Sequence, residues 1–295
     1  MEKGRNRVSV VIPNYNGKEY LRRLLPSLAA QTFSDFEVII IDDCSPDNTV
    51  LDYIKSFIRD HENTRLVENS RNLGFVKNCN KGISLATGDY ICILTNDTEL
   101  KSDFIKRNVE VLDSDKSIGV LSCVIVDEDG KNWFSEGVFR AGLSKNLADD
   151  FQGVRTVDWV AGTACFYRRE VFYSAGPLDE GFYMYHEDIE FCLRVRSKTN
   201  YKVCAFSDKL VKHYSGGSMG PRMSYYLTRN HILLVRMYCP KYLPKVLAYR
   251  FIQAVKSIAA AAIRKPFPKC LTWSFLIAIN AVRGATDGLT GKRGK

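Results

Sequence analysis

Four short apolar runs alternate with stretches of helical period through the first hundred residues, and this limits the possible folds more than any other feature. Val8-Ser-Val-Val-Ile-Pro13 is rich in β-branched residues and closed by proline. Lys18 to Ala30 places apolar residues at 20, 21, 24, 25 and 28, along one face of a helix. Glu37 to Asp42 is apolar without alternation, which suits a parallel strand covered on both faces. Asp43 to Thr49 reads as a loop and helix cap, followed by a helix to about Arg59. Arg65 to Glu68 is a third strand. Phe75 to Ala86 is helical and stopped by Thr87-Gly88, and Asp89 to Leu94 is a fourth strand. The β-α-β-α-β-α-β order predicts an open, mostly parallel α/β sheet flanked by helices. Ligands of such sheets bind at the carboxyl ends of the strands. Asn14-Tyr-Asn16, Asp42-Asp43, Asn69 to Gly74 and Thr95-Asn-Asp97 are therefore the segments to inspect.

The rest of the chain is less regular. It predicts a helix near 102–112, strands near 118–126 and 159–167, and a helix from about Glu187 to Ser197. A basic, Ala-rich helical segment follows Pro240. The charge is uneven. From Arg236 to Lys295 there are 12 Lys and Arg against one acid, whereas the first 235 residues carry 30 basic and 32 acidic residues. The positive charge thus belongs to a tail, and no nucleic-acid partner is expected for the main body. This divides the chain into a main domain over 1–235 and a basic helical tail over 236–295. The nine cysteines are scattered and never spaced C-x-x-C. They speak against a disulfide framework or a structural zinc and fit a reducing cytosol. A strand starting at Val8 leaves no room for a signal peptide. The longest apolar run, Cys270 to Val282, falls short of a membrane span.

The first strand-to-helix turn, Ile12-Pro-Asn-Tyr-Asn-Gly17, lacks G-x-G-x-x-G, and no G-x-x-x-x-G-K-[ST] occurs. A dinucleotide dehydrogenase and a P-loop nucleotidase are disfavoured. Tyr15 and Asp43 could stack on a base and accept its imino hydrogen, or serve as a packing residue and a turn former. Asp97, in Leu94-Thr-Asn-Asp-Thr98, could offer oxygen to a hard divalent cation or simply close a turn. Tyr185-His-Glu-Asp-Ile-Glu190 opens a helix with three acids, which suits a helix N-terminus electrostatically. Glu187, Asp188 and Glu190 cannot share one face, and a carboxylate held there beside Tyr183 and Tyr185 could act as a general base. His213 precedes a small-residue loop and could complete a metal site or be structural, while His61 and His231 read as structural.

Taken together, Val8–Asn16, Gln31 to Asp43, Asn72-Leu-Gly-Phe75, Ala86-Thr-Gly-Asp89, Asn96-Asp97 and His186-Glu-Asp188 resemble, in order and spacing, the family 2 inverting glycosyltransferases of GT-A fold. Gly162 to Arg168, Leu178 to Phe182 and His213-Tyr-Ser-Gly-Gly-Ser218 are similar to the bacterial rhamnosyltransferase-like branch. The resemblance covers about residues 7–235. It implies that Pro13, Tyr15 and Asp43 hold the nucleotide base. Asn72, Gly74 and Asn78 would lie near the ribose or diphosphate, and Asn96 would also contact the nucleotide sugar. Asp97 matches the last acid of the family's D-x-D motif, and His213 falls where a second ligand to Mn²⁺ or Mg²⁺ is placed. Asp188, paired with Glu187, matches the catalytic base, and Trp159 and Gly162 would shape the acceptor side. Thr95 replaces the first acid of D-x-D, which makes metal dependence an open point.

The implied activity is inverting transfer of a sugar, such as rhamnose or a related hexose, from a nucleotide diphosphate sugar. The acceptor would be a hydroxyl of a glycan or lipid-linked molecule in cell-surface polysaccharide synthesis. A polyprenyl-phosphate sugar synthase and a non-catalytic nucleotide-sugar-binding protein are the alternatives. In the tail, Lys245 to Arg264 sets Leu247, Phe251, Val255 and Ile258 along one side and Lys245, Arg250, Lys256 and Arg264 around the other. Such a helix suits an anionic membrane surface, with Tyr238, Tyr242, Tyr249 and Trp273 at headgroup level. A helix packed on the catalytic domain is the alternative. The expected location is cytoplasmic, on the inner face of the cell membrane.

Overall fold

The chain is described by a computed structural model covering residues 7–133, 135–147, 149–214, 221–263, 279–280 and 282–294. The first half alternates as its sequence predicts: β1 (Val8–Asn14), α1 (Lys18–Ala29), β2 (Phe36–Asp42), α2 (Asn48–Arg59), β3 (Thr64–Glu68), α3 (Phe75–Leu85) and β4 (Tyr90–Leu94). Next come β5 (Thr98–Leu100), α4 (Phe104–Ser114), β6 (Ile118–Val126), β7 (Glu136–Arg140), β8 (Leu143–Asn146), β9 (Val154–Thr156), β10 (Trp159–Val160) and β11 (Ala164–Arg168). The remaining elements are α5 (Arg169–Ala175), α6 (Glu187–Lys198), β12 (Lys202–His213), α7 (Pro221–Tyr238) and α8 (Leu243–Ile263).

The large sheet has the order β3-β2-β1-β4-β11-β6-β12-β5, with β9 also on β12. The pairings send β1, β2, β3, β4, β6 and β12 one way and β5, β9 and β11 the other. Alternate residues of β1 feed two layers. Val8, Val10 and Ile12 pack with Leu21, Leu24 and Leu25 of α1, Ile54 of α2 and Phe104 of α4. Val11 turns to the other face with Ile39, Ile41 and Ile91. There α3 lies so close that a Cβ on Gly82 would sit 2.1 Å from Val11 Cγ1. A strand buried on both faces has no polar alternation, hence the continuous apolar runs.

Two expectations change. The strand predicted over 159–167 is two strands in two sheets: β10 pairs with β7, and β11 lies between β4 and β6. Ala161 to Thr163 make the bend, with the Ala161 N–H on the Ser135 carbonyl and the Thr163 carbonyl on the Thr95 N–H. The long strand β12 was not legible. Its pairing to β6 shifts register around Phe206, Lys209 and Val211, so burial does not alternate with a period of two.

The described residues form two compact units. The first comprises 7–138, 146–179 and 188–214, and the second 139–145, 180–187 and 221–294. Within the second unit, residues 282–290 are helical and run close to α7, where a Cβ on Gly284 would meet the Tyr225 carbonyl oxygen at 2.4 Å. On α8, Val246 is buried, while Phe251, Ile252 and Val255 are exposed by 69%, 50% and 48%, leaving an apolar stripe uncovered. Arg250 does not sit on a solvated basic face. It turns inward, its Nε donating to His231 Nδ1 at 2.9 Å and its Nη2 to the Leu227 carbonyl, because helix packing brings those acceptors within reach. Arg264, Trp273 and most of the Cys270 to Val282 run lie outside the described residues, as does the side chain of Ile258. No helix among the described residues is long and apolar enough to cross a membrane.

Candidate active site

The carboxyl ends of β1, β2 and β4 are tied together by polar side chains. Asn14 closes β1. Its Nδ2 donates to Asp42 Oδ1 at 2.8 Å, and its Oδ1 accepts from Asn96 Nδ2 at 2.8 Å. Asp42 also accepts from the Ser45 N–H and hydroxyl. The next residue, Asp43, organises the β3–α3 loop. Its carboxylate accepts from Asn69 Nδ2 at 3.0 Å, the Leu73 N–H at 2.7 Å and the Gly74 N–H at 2.8 Å. Gly74 caps α3 with φ 90°, a conformation that favours glycine. Asn72 Nδ2 reaches the Asp43 carbonyl at 3.4 Å, and the buried Asn78 accepts from Asn69 at 2.6 Å. Pro13 is buried in β1, whereas Tyr15 is 53% exposed. The Tyr15 ring is therefore not a packing residue, and it stands open at the strand end.

A second cluster follows β4. The Thr95 hydroxyl donates to Asp97 Oδ1 at 2.6 Å, and His213 Nε2, at the end of β12, lies 3.4 Å from Asp97 Oδ2. Burial alone would raise the Asp97 carboxyl. The His213 hydrogen bond and charge, with the Thr95 hydroxyl, instead hold it below the ordinary value. The indole of Trp133 stacks on the His213 ring, with centroids 4.0 Å apart. His213 Nδ1 is buried without a hydrogen-bond partner. One carboxylate oxygen and one imidazole nitrogen, close enough to touch a single ion, fit a Mn²⁺ or Mg²⁺ that completes its shell with water and phosphate oxygens. Among the described residues no group of three His, Cys, Asp or Glu forms a fuller cage. Thr95 thus keeps a role where the family pattern has an acid, by orienting Asp97.

The third group stands at the start of α6. Asp188 Oδ2 accepts from the Gly162 N–H at 2.9 Å, and Oδ1 from the Ile189 N–H at 2.8 Å. Burial pushes the Asp188 carboxyl above the ordinary aspartate value, against the pull of those two bonds. Glu187 is buried, and Glu190 is paired with Arg194 at 2.7 Å, so Asp188 is the acid of this trio that faces Gly162. Gly162 is tight against it: a Cβ there would lie 3.2 Å from Asp188 Cβ. A chain of contacts joins the two acidic centres. Asp188 bonds Gly162, the neighbouring Thr163 carbonyl accepts from the Thr95 N–H at 2.8 Å, and Thr95 bonds Asp97. Trp159 is fully buried in β10, with its indole N–H on the Val138 carbonyl.

The open α/β sheet thus carries a polar cluster at the ends of β1, β2 and β4, an Asp–His pair after β4 and, at the start of α6, a carboxylate raised by burial. The sequence profile for Glycosyl transferase family 2 matches residues 9–176, more than half of the chain. The chain belongs to glycosyltransferase family 2. The amylovoran biosynthesis glycosyltransferase AmsB of Erwinia amylovora is 28% identical over 212 residues, 70% of this chain and 69% of that protein. S. aureus TarS 1-349 in complex with UDP-GlcNAc superposes with a TM-score of 0.61 at 18% identity, covering 97% of this chain and 92% of that one. The mannosyltransferase PcManGT from Pyrobaculum calidifontis, in complex with GDP-Man and Mn²⁺, gives 0.61 at 18% identity over 99% and 89%. At that identity the structures speak for the fold, which is GT-A. In this glycosyltransferase several site residues carried no sequence signal of their own. Asn69 and Ser45 act only through the turns they close, and Trp133 lies 80 positions from the histidine it covers.

Proposed function

We propose that this glycosyltransferase moves a sugar, rhamnose or another hexose, from a nucleotide diphosphate sugar to a hydroxyl of a glycan or lipid-linked acceptor. Transfer inverts the anomeric centre and serves assembly of a cell-surface polysaccharide. The observation that supports this reading is the contact chain from Asp188 through Gly162, Thr163 and Thr95 to Asp97, which links the carboxylate read as the base to the carboxylate read as a metal ligand. The nucleotide sugars bound by TarS and PcManGT support the donor class.

Asp188 takes the proton of the acceptor hydroxyl as its oxygen attacks the anomeric carbon opposite the leaving diphosphate. Desolvation keeps this carboxylate basic, and the Gly162 and Ile189 N–H groups fix its two oxygens. Inversion is one displacement, so no side chain has to act as nucleophile. Tyr15 offers an open ring for the base, and Asp43 shapes the loop from Asn72 to Gly74 for the ribose and diphosphate. Asn96, held by Asn14, contacts the donor beside them. Asp97 and His213 would hold Mn²⁺ or Mg²⁺, which when bound supplies Lewis-acid stabilisation of the leaving diphosphate. Glu187 is the buried neighbour of Asp188 in the acidic pair, and Trp159 and Gly162 would shape the acceptor side.

Residues 1–235 would be the catalytic domain and 236–295 a tail that rests on the inner face of the cell membrane. The exposed Phe251, Ile252 and Val255, with Lys245 and Lys256 beside them, suit an anionic surface. Flotation of the full chain with anionic liposomes, lost in Phe251→Ser/Val255→Ser, checks this; flotation retained in that variant contradicts it.

Asp188→Asn tests the base. Transfer is expected to fall about 10²- to 10⁴-fold, with nucleotide binding unchanged. The base works only when deprotonated. Turnover of the parent should therefore fall as pH drops through a value above the ordinary aspartate range, and that acid limb should vanish in the variant. Parental turnover in Asp188→Asn would refute the assignment.

A further inference from the structure

The segment that leads into Asp188 has an unusual backbone. Tyr183, Tyr185 and His186 adopt φ values of 65°, 66° and 66°, in the left-handed region that bulky side chains rarely enter. Three such residues within four positions persist only where their surroundings hold them. The hold comes from two consecutive buried residues of α7. Asn230 Nδ2 faces three carbonyls of the segment, those of Phe182 at 2.9 Å, Met184 at 2.7 Å and Tyr185 at 2.7 Å. Arg229 Nη2 donates to the Phe182 carbonyl at 2.9 Å and the Gly181 carbonyl at 3.2 Å. The amide has one orientation, because its Oδ1 accepts from Arg229 Nε at 2.9 Å. Both side chains are fully buried. Tyr183 is further stacked on Tyr226, itself beneath the Arg229 guanidinium.

A helix packed for its own sake has no need to spend an arginine and an asparagine on the carbonyls of one short segment. The reason lies in the helix that this segment enters. The last carbonyl held, that of Tyr185, is three residues before Asp188, and α6 begins at Glu187. The segment whose carbonyls Asn230 and Arg229 hold therefore runs directly into the first turn of α6.

We propose that Arg229 and Asn230 are positioning residues for transfer: they lock the left-handed 183–186 backbone and so hold Asp188 in register with Gly162. This rests on the reading of Asp188 as the base. Neither residue touches substrate; both act through backbone carbonyls. An unheld loop would populate ordinary φ values, and Asp188 would leave the Gly162 amide for part of the time.

The test is hydrogen exchange on the full chain, which needs no ligand, combined with turnover of UDP-GlcNAc or GDP-mannose, whichever raises the melting temperature more. In Asn230→Ala, amides of 182–189 and of Gly162 should exchange at least tenfold faster, with the β4 amides unchanged. Turnover should fall at least tenfold, with KM for the donor within twofold. Adding Tyr185→Gly should restore part of both losses, because glycine adopts φ near +66° without a side-chain penalty; a role confined to helix packing would not be rescued this way. If Asn230→Ala does not fold, Arg229→Lys replaces it, with an expected exchange increase of at least threefold over 182–189. Parental exchange and turnover in these variants overturn the proposal. Parental turnover in Asp188→Asn, with the exchange changes present, overturns the base assignment instead and leaves Arg229 and Asn230 as holders of the loop alone.

Discussion

Asp43 and Asp188 are both aspartates beside the large sheet, and their surroundings treat them in opposite ways. Asp43 sits in the β2–α2 connection and receives three donors from the β3–α3 loop, two backbone amides and Asn69. Its negative charge is spent on building that loop. Asp188 accepts from the Gly162 and Ile189 N–H groups, and burial nevertheless raises its carboxyl. The Asp43 oxygens are committed to a neighbouring loop, whereas burial raises the Asp188 carboxyl and makes it the readier proton acceptor. The regions also differ in how they are held. The Asp43 region is fixed by the β3–α3 loop, 26 to 31 positions away in sequence, and the approach to Asp188 by Arg229 and Asn230, more than 40 positions away.

Substitutions can break this contrast. The largest stability effect is expected for Asp43→Ala, which orphans the Leu73 and Gly74 amides and removes one of the two acceptors of Asn69 Nδ2. The cost of unpaired buried donors gives an expected loss of about 3 kcal/mol, measurable by urea unfolding. A loss below about 0.5 kcal/mol would mean that Asp43 is not structural and would erase the difference from Asp188.

A comparable effect comes from acid near the loop before Asp188. Burial, with Arg250 beside it, pushes the His231 imidazole down to about 4, and His186, stacked on it, is also lowered by burial. Between the unfolded value of about 6.5 and this folded value, the unfolded chain binds a proton that the native chain does not. Stability therefore falls as pH drops through that window, by about 3 kcal/mol for His231 once pH reaches 4. His231→Gln should flatten the slope of melting temperature against pH between 7 and 4.5; an unchanged slope would place the titration elsewhere.

Gly162→Ala should give the smallest change. Its Cβ would press on Asp188 Cβ at 3.2 Å, so the carboxylate must give by a few tenths of an ångström. Turnover should fall up to about tenfold, equivalent to about 1.4 kcal/mol, with KM for the donor and stability nearly unchanged. A change in KM alone would make Gly162 a donor-binding residue and not a partner of the base.

The contrast also explains what was legible in the sequence. The four parallel strands and their helices are written in continuous apolar runs and 3.6-residue periods, and each lies within two residues of its expected place. The strand-end residues follow from topology, because a polar residue after such a run must sit at the ligand edge of the sheet. Three things could not be read this way. Bulges in β12 interrupt its alternation, so His213 appeared as a lone histidine and not as the end of a central strand. The bend at Ala161 to Thr163 splits one apolar run between two sheets, and no local residue announces it. The left-handed backbone at Tyr183, Tyr185 and His186 runs against the preference of those residue types, because Asn230 and Arg229 override it from a distant helix. Local preference describes the scaffold, and the segment before Asp188, the proposed base, is one where tertiary contacts defeat it.

The central claim is that the cation pair and the base serve one site. Paramagnetic broadening by Mn²⁺ in ¹⁵N-labelled protein, with UDP and then GDP present, tests it most directly. Bound Mn²⁺ should extinguish the amide signals of Thr95, Gly162, Thr163 and Ile189 together, and in Asp97→Ala these signals should survive. Broadening that spares Gly162 and Ile189 while reaching Thr95, or that persists unchanged in Asp97→Ala, would contradict the claim.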